Sequence, residues 1–245
     1  MTTTEIRRFS EVGPLTASVA GALITTIVER QNSTGRMRMV LTGGRTAHAL
    51  LDTVLRTPAR SAIDMSALEL WWSDERFLPA GHPDRNDQSV GGMLASPYDN
   101  APVLHAIAGP DEVSSPEESA LRYQQTLPAE GWDLAILSLG EDGHIASIFP
   151  ESPAVHSAAP VLAVHGAPKE PATRVTLSAA TLSQADELWI LATGAAKSAA
   201  VRLAFDSAAG PFQMPVRGVR GRLRTVWYVD DDAADRLPAG FGRRD

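Results

Sequence analysis

The sequence predicts an α/β fold, a mainly parallel central sheet flanked by helices on both faces in a three-layer sandwich. Three observations predict it. Short apolar runs alternate with helical patterns along the chain, as a sheet built from strand–helix–strand units requires. Four of those runs finish in polar or glycine-bearing segments, and the carboxyl ends of open parallel sheets are where ligand crevices form. The composition, 44% hydrophobic and 21% charged over 245 residues, is that of an ordinary globular chain with ample core material.

Taken in order, residues 15–30 read as an amphipathic helix. Met37–Leu41 is a buried strand that ends in Thr42-Gly43-Gly44, and helical composition follows from Ala47 to Leu55. Leu68–Trp72 is the next strand and runs into Ser73-Asp74-Glu75-Arg76. A loop over residues 79–88, rich in Pro, Gly, His and Asp, is too long for a simple turn, and such loops often carry function. Val103–Ile107 reads as a strand, and Pro116–Leu127 as a helix capped by Ser114 or Ser115. Asp133–Leu139 is a strongly apolar strand that ends in Gly140-Glu141-Asp142-Gly143-His144. Leu188–Ala192 repeats the pattern, with Thr193-Gly194 before an alanine-rich helix containing Lys197, and Thr225–Val229 is a final strand. Residues 206–222 and the tail after Leu237 read as loosely structured, and no internal repeat is present. A single domain over residues 1–245 is expected.

Composition excludes several classes of function. Without cysteine the chain can form no disulfide, zinc–thiolate cluster, thiolate nucleophile or iron–sulfur centre. Met1–Ser10 is polar with no apolar run behind it, and no stretch approaches the ~20 apolar residues of a bilayer span, so a cytoplasmic protein is expected. A formal charge of −7 argues against nucleic-acid affinity, which needs surplus Lys and Arg. Any anionic ligand must therefore be gripped by a local cluster of cations.

Four segments could carry chemistry. Gly43, Gly44, Arg45 and Thr46 stand between a strand and a helix, where glycines let backbone N–H groups approach a phosphate and the helix N-terminus adds its dipole; an ordinary turn is the alternative. No nucleotide-binding glycine fingerprint accompanies them. Asp74, Glu75 and Arg76 close an apolar strand: Arg76 could fork onto a phosphate or polarise a carbonyl, with Asp74 orienting it or a histidine, although a surface ion-pair cluster would look the same. His144, framed by glycine and an acid at a strand end, could take a proton from water while Asp142 holds its tautomer; the competing reading is a cap on a following helix. Arg174 and Lys197 stand beside elements on the same expected sheet edge and could converge on one phosphate. A serine triad is not expected, since no G-x-S-x-G elbow occurs and Ser147 sits in an expected helical turn with nothing to activate it. Metal catalysis is not expected either, since no histidine pair has metal-ligand spacing on a helix.

The order of these segments, Gly-Gly turn, Asp-Glu-Arg, Asp-Gly-His with Ser-x-Phe-Pro, Arg-x-Thr-Leu and Gly-x-x-Lys, resembles the 6-phosphogluconolactonase family. The likeness runs from about Leu41 to Val229 and is strongest over Trp72–Asn86, with its His82-Pro83-Asp84-Arg85-Asn86, and over Leu137–Pro150. It implies the Rossmann-like sandwich of the glucosamine-6-phosphate deaminase and isomerase folds. It also implies hydrolysis of 6-phospho-D-glucono-1,5-lactone in the oxidative pentose phosphate pathway with no cofactor and no metal. By that analogy His144 is the general base, Arg76 stabilises the oxyanion or binds substrate, and Gly43, Gly44, Arg174 and Lys197 grip the phosphate. The resemblance is imperfect: Arg45 replaces the usual Ser or Thr, Thr46-Ala47 the usual Thr-Pro, and Leu137-Ser138-Leu139-Gly140 the usual Leu-Gly-Met-Gly. Expected partners are a phosphorylated sugar lactone and neither nucleic acid nor membrane, in a monomer or weak homo-oligomer. Two rivals remain: a glucosamine-6-phosphate deaminase or isomerase, whose Phe-Asn-Glu-Pro acid is missing after His144, and a sugar-phosphate sensor, for which no DNA-reading segment is visible.

Overall fold

A computed structural model describes residues 2–88, 101–206, 208–238 and 241, together with the backbone of 243–244. In chain order the elements are β1 (Thr3–Phe9), α1 (Val12–Thr34), β2 (Met37–Leu41), α2 (Arg45–Arg56), β3 (Leu68–Trp72), β4 (Asp74–Arg76), β5 (Val103–His105) and α3 (Pro116–Gln124). There follow β6 (Leu134–Ser138), β7 (Val161–Val164), β8 (Arg174–Leu177), α4 (Ala179–Leu182), β9 (Glu187–Ala192), α5 (Ser198–Ala204), β10 (Arg224–Asp230) and β11 (Arg243–Arg244).

Eight strands form one sheet in the order β11-β1-β10-β9-β6-β2-β3-β5, every pairing parallel. The central strands are nearly all apolar (MVL in β2, LAIL in β6, LWILA in β9) because both faces are covered. The chain runs from β2 outward to β3 and β5, then returns to β6 and runs the other way through β9 and β10, so the strand order reverses between β2 and β6. A crevice opens at such a switch point because the connections leave it in opposite directions.

β1 went unseen in the sequence. Of its seven residues only Ile6 and Phe9 are apolar, and only Phe9 is buried, as in a strand near the sheet edge, held to β10 by backbone bonding from Thr3↔Arg224 to Phe9↔Asp230. The first helix is longer than expected, Val12–Thr34, and stops at Gly35, whose φ of 77° supplies the left-handed cap. By length and composition this helix could cross a membrane, which corrects the expectation that no run approaches such a span. Its apolar face instead packs on β1, β2 and β10 and beside α2, with Leu15, Val19, Leu23, Ile24 and Ile27 buried.

A second sheet was not legible. At Ser73 the chain leaves β3 and enters an antiparallel three-stranded sheet, β4-β8-β7, with Asp74↔Thr176 and Arg76↔Arg174 in register. Ser73 joins the sheets through its backbone, its N–H donating to Leu41 O at 2.7 Å and its carbonyl accepting from Leu177 N at 2.8 Å. Helix α3 packs on β7 and β8 and begins at Ser115, which caps Glu118 N–H. Its Tyr123 hydroxyl accepts from Trp72 N–H at 2.7 Å and donates to Trp72 O at 3.1 Å, satisfying the backbone where β3 ends.

Residues 206–222, expected to be loose, contain a 3₁₀ turn at Pro215–Gly218 with Met214, Val216 and Val219 buried. These apolar residues follow neither a helical nor a strand period, which is why the segment read as loop. Of the tail after Leu237, residues 239, 240, 242 and 245 lie outside the described residues; Phe241 packs edge-on against Phe205.

Candidate active site

The carboxyl ends of β2, β3, β6 and β9, closed on one side by the small sheet, surround a cleft of about 650 Å³. Among the described residues five cations line it, Arg45, Arg76, Lys169, Arg174 and Lys197, against two carboxylates, Asp74 and Glu141, although the whole chain carries a formal −7. Such a local reversal of sign is what an anionic ligand requires.

His144 enters from the loop after β6. The loop is tight: Gly140 N–H donates to His144 O at 2.8 Å and Gly143 N–H to Gly140 O at 3.1 Å. Gly140 carries no side chain because the imidazole lies where a Cβ would stand, 2.0 Å from Nδ1. Gly143, at φ 88°, leaves its Cβ space to Met214 Sδ. Phe149 packs beside the ring at 4.8 Å between centroids. His144 Nδ1 lies 2.5 Å from Asp142 Oδ1, which also accepts the His144 backbone N–H at 3.1 Å. Burial alone would push the Asp142 carboxyl up, but the ring's hydrogen bond and charge and the amide outweigh it and hold it down at about 2. An ionised carboxylate can only accept, so Nδ1 carries a hydrogen, and in the neutral ring the lone pair is left on Nε2. No helix follows His144: residues 145–150 form turns closed by an Ile145↔Ile148 bridge, with Ala146 held at φ 48°. Ser147 therefore sits in no helical turn.

On the facing sheet Arg76 and Arg174 stand directly opposite each other across the β4–β8 pair. Like charges so placed repel unless an anion lies between them. Arg174 is 6% exposed, and its guanidinium donates to Pro171 O at 3.1 Å and Lys169 O at 2.8 Å. Burial lowers its proton affinity, with Arg76 adding to that and Asp74 opposing it. Arg76 Nη1 donates to Asp84 O and Asn86 Oδ1, while its Nε is buried with no hydrogen-bond partner among the described residues.

Asp74 does not play the part expected of it. Its oxygens accept from Ser147 Oγ at 2.6 Å and Ser73 Oγ at 3.1 Å, and neither Arg76 nor His144 is hydrogen-bonded to it. It ties the His144 loop to the small sheet. Arg174 likewise stands on that second sheet, not on the edge of the parallel one. Lys197 belongs to a 3₁₀ turn, Ala195–Lys197, ahead of α5, and its ammonium lies 4.0 Å from Glu141; burial lowers its affinity for a proton. Gly44 (φ 98°) and Gly194 (φ 87°) are the N-caps of α2 and of that turn, and Thr46 and Thr193 hydroxyls meet at 3.0 Å between them. Arg45 lies exposed on the cleft rim.

Several lining residues escaped the sequence reading of the site, Asn86, Lys169 and Ser138 among them. Asn86 Oδ1 lies 1.9 Å from where a Gly43 Cβ would be, so Gly43 is needed for close approach. Asn86 is set there by Glu75, a fully buried carboxylate that accepts the backbone N–H groups of Arg76, Asn86 and Asp87. The polar loop 79–88 was the available signal. Lys169 and Ser138 gave none, one in a polar stretch after β7 and the other the last residue of an apolar strand. Among the described residues no three His, Asp or Glu side chains gather as metal ligands.

Residues 11–227 match the family model described as glucosamine-6-phosphate isomerases/6-phosphogluconolactonase. A 6-phosphogluconolactonase of Streptomyces coelicolor is 42% identical over 235 residues, covering 90% of each chain. One from Mycobacterium tuberculosis is 34% identical over 246 residues, covering 96% of this chain and 98% of that one. The crystal structure of a 6-phosphogluconolactonase from Shewanella baltica superposes with a TM-score of 0.81 at 22% identity over 93% of this chain and 98% of that one, a likeness of fold.

Proposed function

The chain belongs to the family of glucosamine-6-phosphate isomerases and 6-phosphogluconolactonases, and from that premise we propose how its cleft works. The chain hydrolyses 6-phospho-D-glucono-1,5-lactone to 6-phospho-D-gluconate, the second step of the oxidative pentose phosphate pathway. The observation that carries the mechanism is an imidazole whose Nδ1 is committed to Asp142, in a cleft lined by five cations.

In this reading His144 Nε2 takes a proton from water as the water oxygen bonds to the lactone carbonyl carbon. The carbonyl π pair moves onto oxygen, where the Arg76 guanidinium stabilises the charge. Collapse of the tetrahedral intermediate breaks the ring C–O bond, and the departing ring oxygen takes the proton back from His144, giving a hydroxyl and a carboxylic acid that ionises. General-base assistance of this kind contributes ~10²–10⁴-fold and one oxyanion donor ~10²–10³-fold. Arg174, Lys197, Arg45, Thr46 and the Gly43–Gly44 turn hold the phosphate, so that binding energy remote from C1 orients the carbonyl. Asp142 is a positioning residue for the base, and Asp74 positions the loop.

The deaminase branch is disfavoured by chemistry at one place. Ala146-Ser147-Ile148-Phe149-Pro150 carries no acid to open an amino-sugar ring. The remaining proposals are a single domain over residues 1–245, a monomer or weak homo-oligomer in the cytoplasm, and no nucleic-acid or membrane partner. The deciding experiment is a coupled assay in which glucose-6-phosphate dehydrogenase generates fresh lactone, run with and without a chelator. Hydrolysis well above the spontaneous rate, insensitive to chelator, is expected; no acceleration, or loss with chelator, would overturn the reading.

A further inference from the structure

Arg76 lines the cleft, and among the described residues it is hydrogen-bonded only by neutral oxygens. Its Nη1 donates to Asp84 O at 2.7 Å and to Asn86 Oδ1 at 2.9 Å, which uses both hydrogens of that nitrogen. With Nε buried, Nη2 is the nitrogen left for a ligand. The guanidinium is thus fixed in direction without a carboxylate bonded to it.

Asn86, only 3% exposed, is itself locked from three sides. Its Nδ2 donates to Asp74 O at 2.9 Å, and since a carbonyl can only accept, this turns Oδ1 towards Arg76. Its backbone N–H donates at 2.7 Å to Glu75, the carboxylate that also accepts the Arg76 N–H at 2.8 Å. Its amide fills the space that a Cβ on Gly43 would take, so the glycine turn of the parallel sheet backs it.

We propose that Asn86 is a positioning residue that aims Arg76 at the carbonyl oxygen of the lactone, a neutral acceptor that holds the guanidinium and leaves its charge for the oxyanion. A carboxylate in its place would grip the arginine and offset the charge that the oxyanion needs. A donor fixed beforehand is worth most where negative charge develops only in the transition state.

The inference rests on the lactonase reading but fails separately from it. Turnover by the unmodified protein tests that reading; only ratios between variants test Asn86. Asn86→Ala should lower kcat by about 10–100-fold on 6-phosphogluconolactone and by the same factor on gluconolactone, with KM changed less than about threefold. In an Arg76→Ala background the same substitution should change kcat by less than about twofold, because the residue it aims is gone, whereas a residue that only held the loop would lower activity again. Gly43→Ala, which keeps the amide and drives a methyl group into it, should also slow gluconolactone, a substrate with no phosphate for the glycine turn to hold. Activity of Asn86→Ala within about twofold of the unmodified protein, or a loss confined to the phosphorylated lactone, would overturn the assignment. So would a further loss in the Arg76→Ala background, or normal turnover of gluconolactone by Gly43→Ala.

Discussion

The two sheets meet at one cleft but contribute to it by different physics. The parallel sheet offers backbone: glycine turns at the ends of β2 and β9, and after β6 a loop whose imidazole is fixed by a carboxylate two residues away. The small antiparallel sheet offers side chains: two arginines forced opposite each other by register, one of them tied down by carbonyls of residues 169–171. Contacts set by near neighbours in sequence survive local change; contacts set by register between distant strands depend on the whole sheet. The imidazole thus stands on the locally determined half, and Arg76 and Arg174 stand on the long-range half.

The sharpest way to separate the halves is His144→Ala, which should lower kcat by ~10²–10⁴-fold while 6-phosphogluconate still binds. Initial rates on fresh lactone, corrected for spontaneous hydrolysis, check this; near-normal turnover would remove the base from the parallel sheet's share. The small sheet is tested next through Glu75. Burial pushes its carboxyl up to about 7, against the pull of three amides and Arg85. An acid whose folded value is raised stabilises the fold fully below its unfolded value near 4.5 and loses that contribution as pH rises through about 7. Stability should fall by about 3 kcal/mol across that window, and Glu75→Gln should flatten the slope in denaturant titrations at several pH values. Asp142, held at about 2, acts with the opposite sign: its contribution is present above 3.8 and is lost as pH falls through 2.

Arg174→Ala should weaken kcat/KM for the phosphorylated lactone by roughly 10–100-fold, the size of a charge-assisted contact, with a much smaller change on gluconolactone. Equal losses on both substrates would take Arg174 out of the phosphate site. The smallest effect is expected at the tie between the sheets. Ser147→Ala leaves buried Asp74 with one donor fewer and should cost about 1–3 kcal/mol in thermal or denaturant unfolding, with KM nearly unchanged; a stability within error of the unmodified protein would show that the tie is replaceable.

The same division explains what was legible in the sequence. β2, β3, β6, β9 and β10 announce themselves as apolar runs, and the glycines and His144 follow them directly, so the parallel half of the site could be read along the chain. β1, β4, β7 and β8 could not. β1 is too polar, β4 is three charged residues, and the register that sets Arg76 against Arg174 joins positions ninety-eight apart. Asp74 misled for that reason. Its nearest cation in sequence is Arg76, but its hydroxyl partner Ser147 lies 73 residues on. The buried Met214 and Val216 that prop Gly143 were hidden in an aperiodic stretch, and Lys169 reaches the cleft from a segment with no pattern at all.

The orientation of the ligand across the two halves is tested most directly by a crystal structure with bound 6-phosphogluconate. The product's C1 carboxylate should lie within hydrogen-bonding distance of His144 Nε2 and Arg76, with the phosphate among Arg174, Lys197 and the Gly43–Gly44 turn. A phosphate at His144, or a carboxylate turned away from the imidazole, would contradict the account.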